Sequence, residues 1–262
     1  MKQQVFQCYA SEPMEEHFAK GLRERWNLSE YSDPNAPTVM FGWYNNNEDV
    51  AFLNRHKGPI IMVWGGADME PQRMQYLNSR ENSFQFGYGW QVNLFRKYGI
   101  THREFTLPLK DYSRFKPTPL GDKIYVYKGW KVDRGSYFKW NEYIQPLIKE
   151  WGEDNFIYGM GHDIDYVHEN FYSKCFVFIK PNERGGGTSM WEVGHMGRKT
   201  IAQNQGGAPN VLEFNNIRHI AELVNQEAKK IGTVQSSLVD QINAHFMNDY
   251  KWLNLDWWNG RY

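Results

Sequence analysis

Short apolar runs alternate with amphipathic stretches along the whole chain, the pattern of strands interleaved with helices. In the first half, Val5 to Ala10, Thr38 to Trp43, Pro59 to Trp64, Ser83 to Gly87 and His102 to Leu107 read as strands. Helices are predicted between them, near Pro13 to Arg25, Glu48 to Arg55, Pro71 to Asn78 and Gln91 to Tyr98. The stretch Pro108 to Asp122, with Pro108, Pro117, Pro119 and Gly121, keeps neither period and reads as a linker. The alternation then restarts, with strands at Lys123 to Tyr127, Asn155 to Tyr158, Cys175 to Ile179, Lys199 to Gln203 and Val211 to Phe214. In the helix predicted over Tyr137 to Trp151, Trp140, Tyr143, Ile144, Leu147, Ile148 and Trp151 make one apolar stripe, with Pro146 inside it as a kink. Further helices are read at Ile164 to Tyr172 and Met190 to Met196, and along Ile217, Ile220, Val224, Ala228 and Ile231. Leu238, Ile242, Phe246 and Tyr250, four apart, predict a last helix over Ser236 to Tyr250.

This is an α/β chain. The expected organisation is two Rossmann-like parallel-sheet domains facing a cleft: residues 1–115, residues 116–235, and a closing helix and tail, 236–262, that could pack back on the first domain. Ligands of such sheets bind outside the carboxyl ends of the strands.

Composition narrows the class. Lys plus Arg and Asp plus Glu are both 30, so no global field holds the chain to nucleic acid or to an anionic membrane. A mean hydropathy of -0.71 with 41% hydrophobic residues excludes disorder and predicts no membrane span. Cys8 and Cys175 are the only cysteines, which removes a disulfide scaffold and four-cysteine zinc sites; with no signal-peptide pattern at the start, the expected location is cytoplasmic.

The most informative segment is Pro181-Asn182-Glu183-Arg184-Gly185-Gly186-Gly187-Thr188-Ser189-Met190-Trp191-Glu192-Val193-Gly194-His195. It follows an apolar strand and opens a helix, so glycines bring backbone close to a ligand while unpaired helical N–H groups face an anion. A diphosphate would fit there with Arg184 as a partner, and Glu192, one turn on, could accept hydrogen bonds from a ribose diol. Neither a P-loop nor a Gly-x-Gly-x-x-Gly motif after a first strand is present.

Over roughly Lys123 to Ile231 the chain resembles the carboxyl-terminal domain of GT-B glycosyltransferases. The resemblance is carried by Gly185 to Thr188, Glu192, Gly197, the strand Lys199 to Gln203 and the turn Gln205-Gly206-Gly207-Ala208. It implies a glycosyltransferase that needs no cofactor and takes a UDP- or GDP-sugar as donor substrate. It further implies donor contacts from Arg184, Gly185, Gly186, Gly187, Thr188, Ser189 and Glu192. Family members commonly place a cation in the loop after the first strand of this domain, where Lys128, Lys131 and Arg134 stand. In retaining members two glutamates lie eight apart; here the residue eight before Glu192 is Arg184, with Glu183 nine before, so the stereochemistry stays open.

In the first half, Val63-Trp64-Gly65-Gly66-Ala67-Asp68 resembles the Trp-x-Gly-x-Asp turn of some GT-B amino-terminal domains. Trp64, Gly65 and Gly66 are therefore the acceptor-side candidates and Asp68 the candidate base for an inverting reaction, with Glu70 and Asp49 behind it. Asp68 is equally a helix cap. A rival signal is Asp163-x-Asp165, the spacing with which GT-A enzymes hold a divalent metal; a catalytically silent nucleotide- or glycan-binding protein is the other alternative. The acceptor is open between a glycan or small hydroxyl compound and a hydroxylated base in DNA. Zero net charge argues against DNA, while Arg73, Arg80, Arg96, Lys97, Arg103, Lys110, Arg114 and Lys116 supply local cations that argue for it.

Overall fold

The computed structural model describes residues 5–129, 135–136, 138–160, 162–182, 187–203, 205 and 207–260. They divide into two compact units, one of residues 1–111 with 246–262 and one of residues 112–245.

The first unit runs β1 (Gln7–Ala10), α1 (Glu12–Met14), α2 (Lys20–Trp26), β2 (Ser29–Glu30), β3 (Thr38–Phe41), α3 (Asn47–Arg55), β4 (Ile60–Val63), α4 (Pro71–Ser79), β5 (Ser83–Gly87), α5 (Trp90–Lys97) and β6 (Arg103–Glu104). A π-helical stretch, Glu15–Ala19, joins α1 to α2. The strands form a parallel sheet in the order β2-β1-β3-β4-β5-β6. Central strands of such a sheet are covered on both faces, which is why β3 and β4 are buried throughout. Alternation divides their side chains. Val39, Phe41, Ile61 and Val63 join Phe6, Leu22 and Trp26 in one core, while Met40, Ile60 and Met62 join Phe52, Met74 and Phe95 in another.

The second unit runs β7 (Lys123–Gly129), a π-helical turn (Trp140–Ile144) into α6 (Gln145–Trp151), β8 (Phe156–Met160), α7 (Ile164–Val167), β9 (Cys175–Ile179), α8 (Thr188–His195), β10 (Lys199–Ala202), β11 (Val211–Glu213), α9 (Ile217–Ala228) and α10 (Ser236–His245). Its sheet is also parallel, ordered β11-β10-β9-β7-β8. The predicted stripe of α6 covers one face: Tyr143, Ile144 and Leu147 are buried with Ile124, Val126, Val177, Ile201 and Val224. Pro146 sits in the first turn of α6, where a missing N–H matters least, and the predicted single helix is divided just before it, by a π turn over Trp140–Ile144.

The last helix ends at His245 rather than Tyr250, because Phe246 leaves it to form a bridge with Thr106 and Met247 N–H donates to the Thr106 carbonyl. So α10 belongs to the second unit and the remaining tail to the first. There Trp252 is fully buried, Trp258 stacks on Phe84 at 5.3 Å, and the Arg103 guanidinium lies 4.1 Å over Trp257. The proline-rich stretch is held at its second-unit end by Arg198. This fully buried guanidinium donates to Thr118 O and Oγ1 at 3.0 and 2.7 Å, to Pro119 O at 2.6 Å and to the carbonyls of Ser173 and Cys175 at 3.2 Å, as well as to Met196 O.

Candidate functional site

The carboxyl end of β9 runs directly into Lys180, Pro181 and Asn182, all buried. Gly187 has φ 150° and ψ 176°, a conformation open essentially to glycine alone, and it caps α8 without any side-chain bond. The helix that follows is not solvated. Met190, Trp191, Glu192, Val193, Gly194 and His195 are all buried, with Glu192 3% exposed. Its Oε2 accepts a hydrogen bond from the Tyr172 hydroxyl at 2.7 Å, which fixes the rotamer of the carboxylate. Burial, then the charge of Glu192, holds the Tyr172 phenol well above its ordinary pKa.

Lys180 was not among the sequence candidates. Only 8% of it is exposed; its Nζ lies 3.4 Å from Ser189 Oγ in the first turn of α8, 5.5 Å above the Tyr127 ring, and 3.7 Å from where a Cβ on Gly187 would stand. Burial pushes its pKa down to about 8, against the opposing pull of the Glu192 carboxylate. A lysine directly after the all-apolar run Cys-Phe-Val-Phe-Ile and just before a glycine loop was the signal that could have found it.

Thr188 and Ser189 open α8 as expected. Lys128, in β7, has its ammonium 4.4 Å over the Trp140 ring and 5.7 Å from that of Tyr158. Lys131, Arg134, Arg184, Gly185 and Gly186 lie outside the described residues. At the ends of β9 and β10, Asn182 Oδ1, Gln203 Oε1 and Gln205 Oε1 are buried atoms with no hydrogen-bond partner among the described residues. His195 packs: its ring stacks on Tyr112 at 4.8 Å and Nδ1 lies 2.7 Å from Trp191 O.

In the first unit the turn after β4 is built around Asp68, which has no exposed surface. Its Oδ2 accepts from Trp43 N–H at 2.9 Å and Gly65 N–H at 3.3 Å, and its Oδ1 from Gly66 N–H at 2.7 Å. Burial raises its pKa, and those same backbone bonds oppose the rise. Gly66, at φ 109°, needs no Cβ there, and a Cβ on Gly65 would meet Tyr44 Oη at 2.8 Å. Trp64 is buried, whereas Gly65 is exposed. Asp49 is likewise engaged, by Tyr9 and Ser11 hydroxyls at 2.9 Å and Tyr44 N–H at 2.8 Å. Glu70 pairs with Arg73 at 3.3 Å on the surface.

The Asp163 and Asp165 pair does not converge. Asp163 caps α7 through Tyr166 N–H at 2.8 Å, and Asp165 pairs with Arg114. Among the described residues no three His, Cys, Asp or Glu side chains are grouped to hold a metal ion. Several of the cations that suggested nucleic acid are engaged internally: Arg73 donates to Trp43 O, Arg80 to Leu53 O and His56 O, Arg96 pairs with Glu104, and Arg103 lies on Trp257.

The two parallel α/β sheets, of six and five strands, give the chain the GT-B-like fold of the solved structures that it resembles. Among solved structures, sucrose-phosphate synthase from Thermosynechococcus elongatus is similar to the chain with TM-score 0.55 at 13% identity, over 92% of this chain and 74% of that one. TarM is similar with TM-score 0.56 at 12% identity, over 85% of this chain and 55% of its own, and OtsA in its apo form with 0.55 at 8%, over 86% and 73%. No protein-family profile and no curated protein sequence matches the chain. Among the described residues no helix is long and apolar enough to cross a membrane.

Proposed function

We propose that the chain is a glycosyltransferase moving a sugar from a uridine or guanosine diphosphate sugar to a hydroxyl of a glycan or small molecule. The observation that carries this is Glu192: a buried carboxylate, oriented by Tyr172, one turn into a helix that starts at a glycine-only backbone position in a GT-B fold. A ribose diol offers two donors to such an acceptor, and the opening of α8 favours the diphosphate. Arg184, Gly185, Gly186, Gly187, Thr188 and Ser189 form the donor loop in this reading, with Lys131 and Arg134 as further donor-side cations.

Asp68 enters as a positioning residue rather than as the base. Both its oxygens already accept backbone N–H groups, so its work is to hold the Gly65-Gly66 turn. With several arginines of the basic stretch engaged internally, a glycan or small molecule is the acceptor we assign.

A thermal-shift screen of UDP- and GDP-sugars tests the donor, since a ligand at 100 times its dissociation constant stabilises by about 2.7 kcal/mol. Release of the nucleoside diphosphate then tests transfer. A donor that binds and is never cleaved makes the chain a binding protein. Transfer of label to hydroxymethylated duplex DNA overturns the acceptor assignment, and a screen without any stabilising nucleotide overturns the whole reading.

A further inference from the structure

A lysine ammonium nine-tenths out of water normally has a carboxylate beside it, because an unpaired buried charge costs several kcal/mol. Lys180 has none within ion-pair distance among the described residues. Its one hydrogen bond there is the long one to Ser189 Oγ, and its other N–H donors meet no acceptor. The side chain ends at the first turn of α8, against Gly187, where the helix presents its own uncapped N–H groups. Beside it, Asn182 is 4% exposed with Oδ1 unpartnered. A cation, a helix start and an unmatched amide thus stand at one strand end, and an anionic ligand with hydroxyl groups would satisfy all three.

We propose that Lys180, from the end of β9, is the buried counter-charge of the donor diphosphate, and that it binds this anion only as the ammonium. The proposal rests on the donor reading above and adds a residue to it. It stands at a different strand end from the loop after β7, where Lys128, Lys131 and Arg134 were the expected cations.

The groups that face Lys180 set the sign of a pH effect. Glu192 of α8 is the charged group acting on it among the described residues; Tyr127 of β7 presents a ring, and Ser189 a hydroxyl. With its free-state pKa near 8, Lys180 is mostly ammonium at pH 7 and half neutral at pH 8. A bound dianion raises that pKa. Affinity is therefore flat below about pH 7 and falls about tenfold per unit above 8, and binding at pH 8 takes up about half a proton.

The test is calorimetry with inorganic pyrophosphate, UDP and GDP at pH 8, in two buffers of different ionisation enthalpy, on the wild-type chain. Proton uptake by the protein is expected with all three once the proton exchange of each ligand's own terminal phosphate, known from titrating the free ligand, is subtracted. Lys180→Met should weaken each by about 10- to 100-fold at pH 7 and abolish the uptake, and Lys180→Arg, charged at every pH used, should bind without pH dependence. The wild-type proton count needs no variant, so it decides the matter even if Lys180→Met does not fold. Nucleotide binding without proton uptake, or with unchanged affinity in Lys180→Met, overturns Lys180 and leaves the donor reading standing. Pyrophosphate binding with uptake but no binding of any nucleotide or nucleotide-sugar keeps Lys180 and sinks the donor reading. Silence from all three ligands sinks both.

Discussion

The loop after β4 and the loop after β9 each leave the carboxyl end of an interior strand of a parallel sheet, yet they treat charged side chains in opposite ways. In the first unit, Asp68 and Asp49 are buried carboxylates whose oxygens are taken by backbone N–H groups and hydroxyls of the same unit. In the second, Lys180 and Asn182 are also buried and hold donors and acceptors without partners among the described residues. Because buried polar atoms are almost always satisfied in folded proteins, the two patterns say different things. A carboxylate satisfied by backbone amides shapes its turn, even where the indole N–H of Trp64 beside it has no partner among the described residues. A loop that leaves charge unmatched is waiting for something to match it.

The comparison can be broken most forcefully at Asp68. Asp68→Ala would leave the amides of Trp43, Gly65 and Gly66 without their acceptor and should cost about 3 to 5 kcal/mol, a fall of roughly 10 °C or more in Tm. UDP or GDP affinity of the folded fraction should stay unchanged. If a thermal scan finds less than about 1 kcal/mol lost while transfer collapses, Asp68 is the base after all.

Glu192 sharpens the other side. Glu192→Ala should raise the dissociation constant for the nucleotide at least about tenfold and also destabilise the fold by about 1 to 3 kcal/mol, because the Tyr172 hydroxyl loses its acceptor. Glu192→Gln keeps an acceptor for Tyr172 and should restore stability without restoring affinity. Titration calorimetry beside a denaturant melt separates the two effects.

A smaller effect has an unusual sign. Without ligand, Lys180→Met should be more stable than wild type at pH 7, since an unmatched buried charge has been removed. The folded pKa of Lys180 is near 8, below its ordinary 10.5, so between those values the unfolded chain binds the extra proton. Wild-type stability then rises relative to the variant, and the advantage of Lys180→Met, full below pH 8, should vanish above about 10.5. A constant difference across that range would mean that the ammonium is already satisfied. The smallest change belongs to the exposed pair of Arg114 and Asp165: Asp165→Asn should move stability by under about 1 kcal/mol, and chelator should leave nucleotide affinity unaltered.

Much of the architecture was legible because it is periodic. Ser83–Gly87 and Cys175–Ile179 stand where the apolar runs put them, and the stripe from Trp140 to Trp151 lies on the core it was expected to cover. What periodicity does not carry is partnership across the chain. Glu192 could be read as a ribose contact or as a solvated helix residue, and only the packing of Tyr172, twenty positions away, decides that it is buried. Lys180 reads locally as a polar residue leaving a strand; its enclosure comes from Tyr127 and from α8. Asp68 shows the converse, since a carboxylate after Gly-Gly is the same letter whether it faces a substrate or its own backbone.

The discontinuity of the first unit bears on the order in which the molecule is made. Its sheet is complete by Glu104, but Phe84, Phe86 and Phe105 are roofed by Trp252, Trp257 and Trp258, which emerge from the ribosome about 150 residues later. Throughout that interval an aromatic surface stands bare while the whole of 112–245 is synthesised and can close on itself. Maturation of the first unit therefore waits for the stretch that follows His245. A ribosome that stalls after His245 yields a chain with a closed second unit and an uncovered first one, the sort of half-product that chaperones and proteases recognise by its exposed rings.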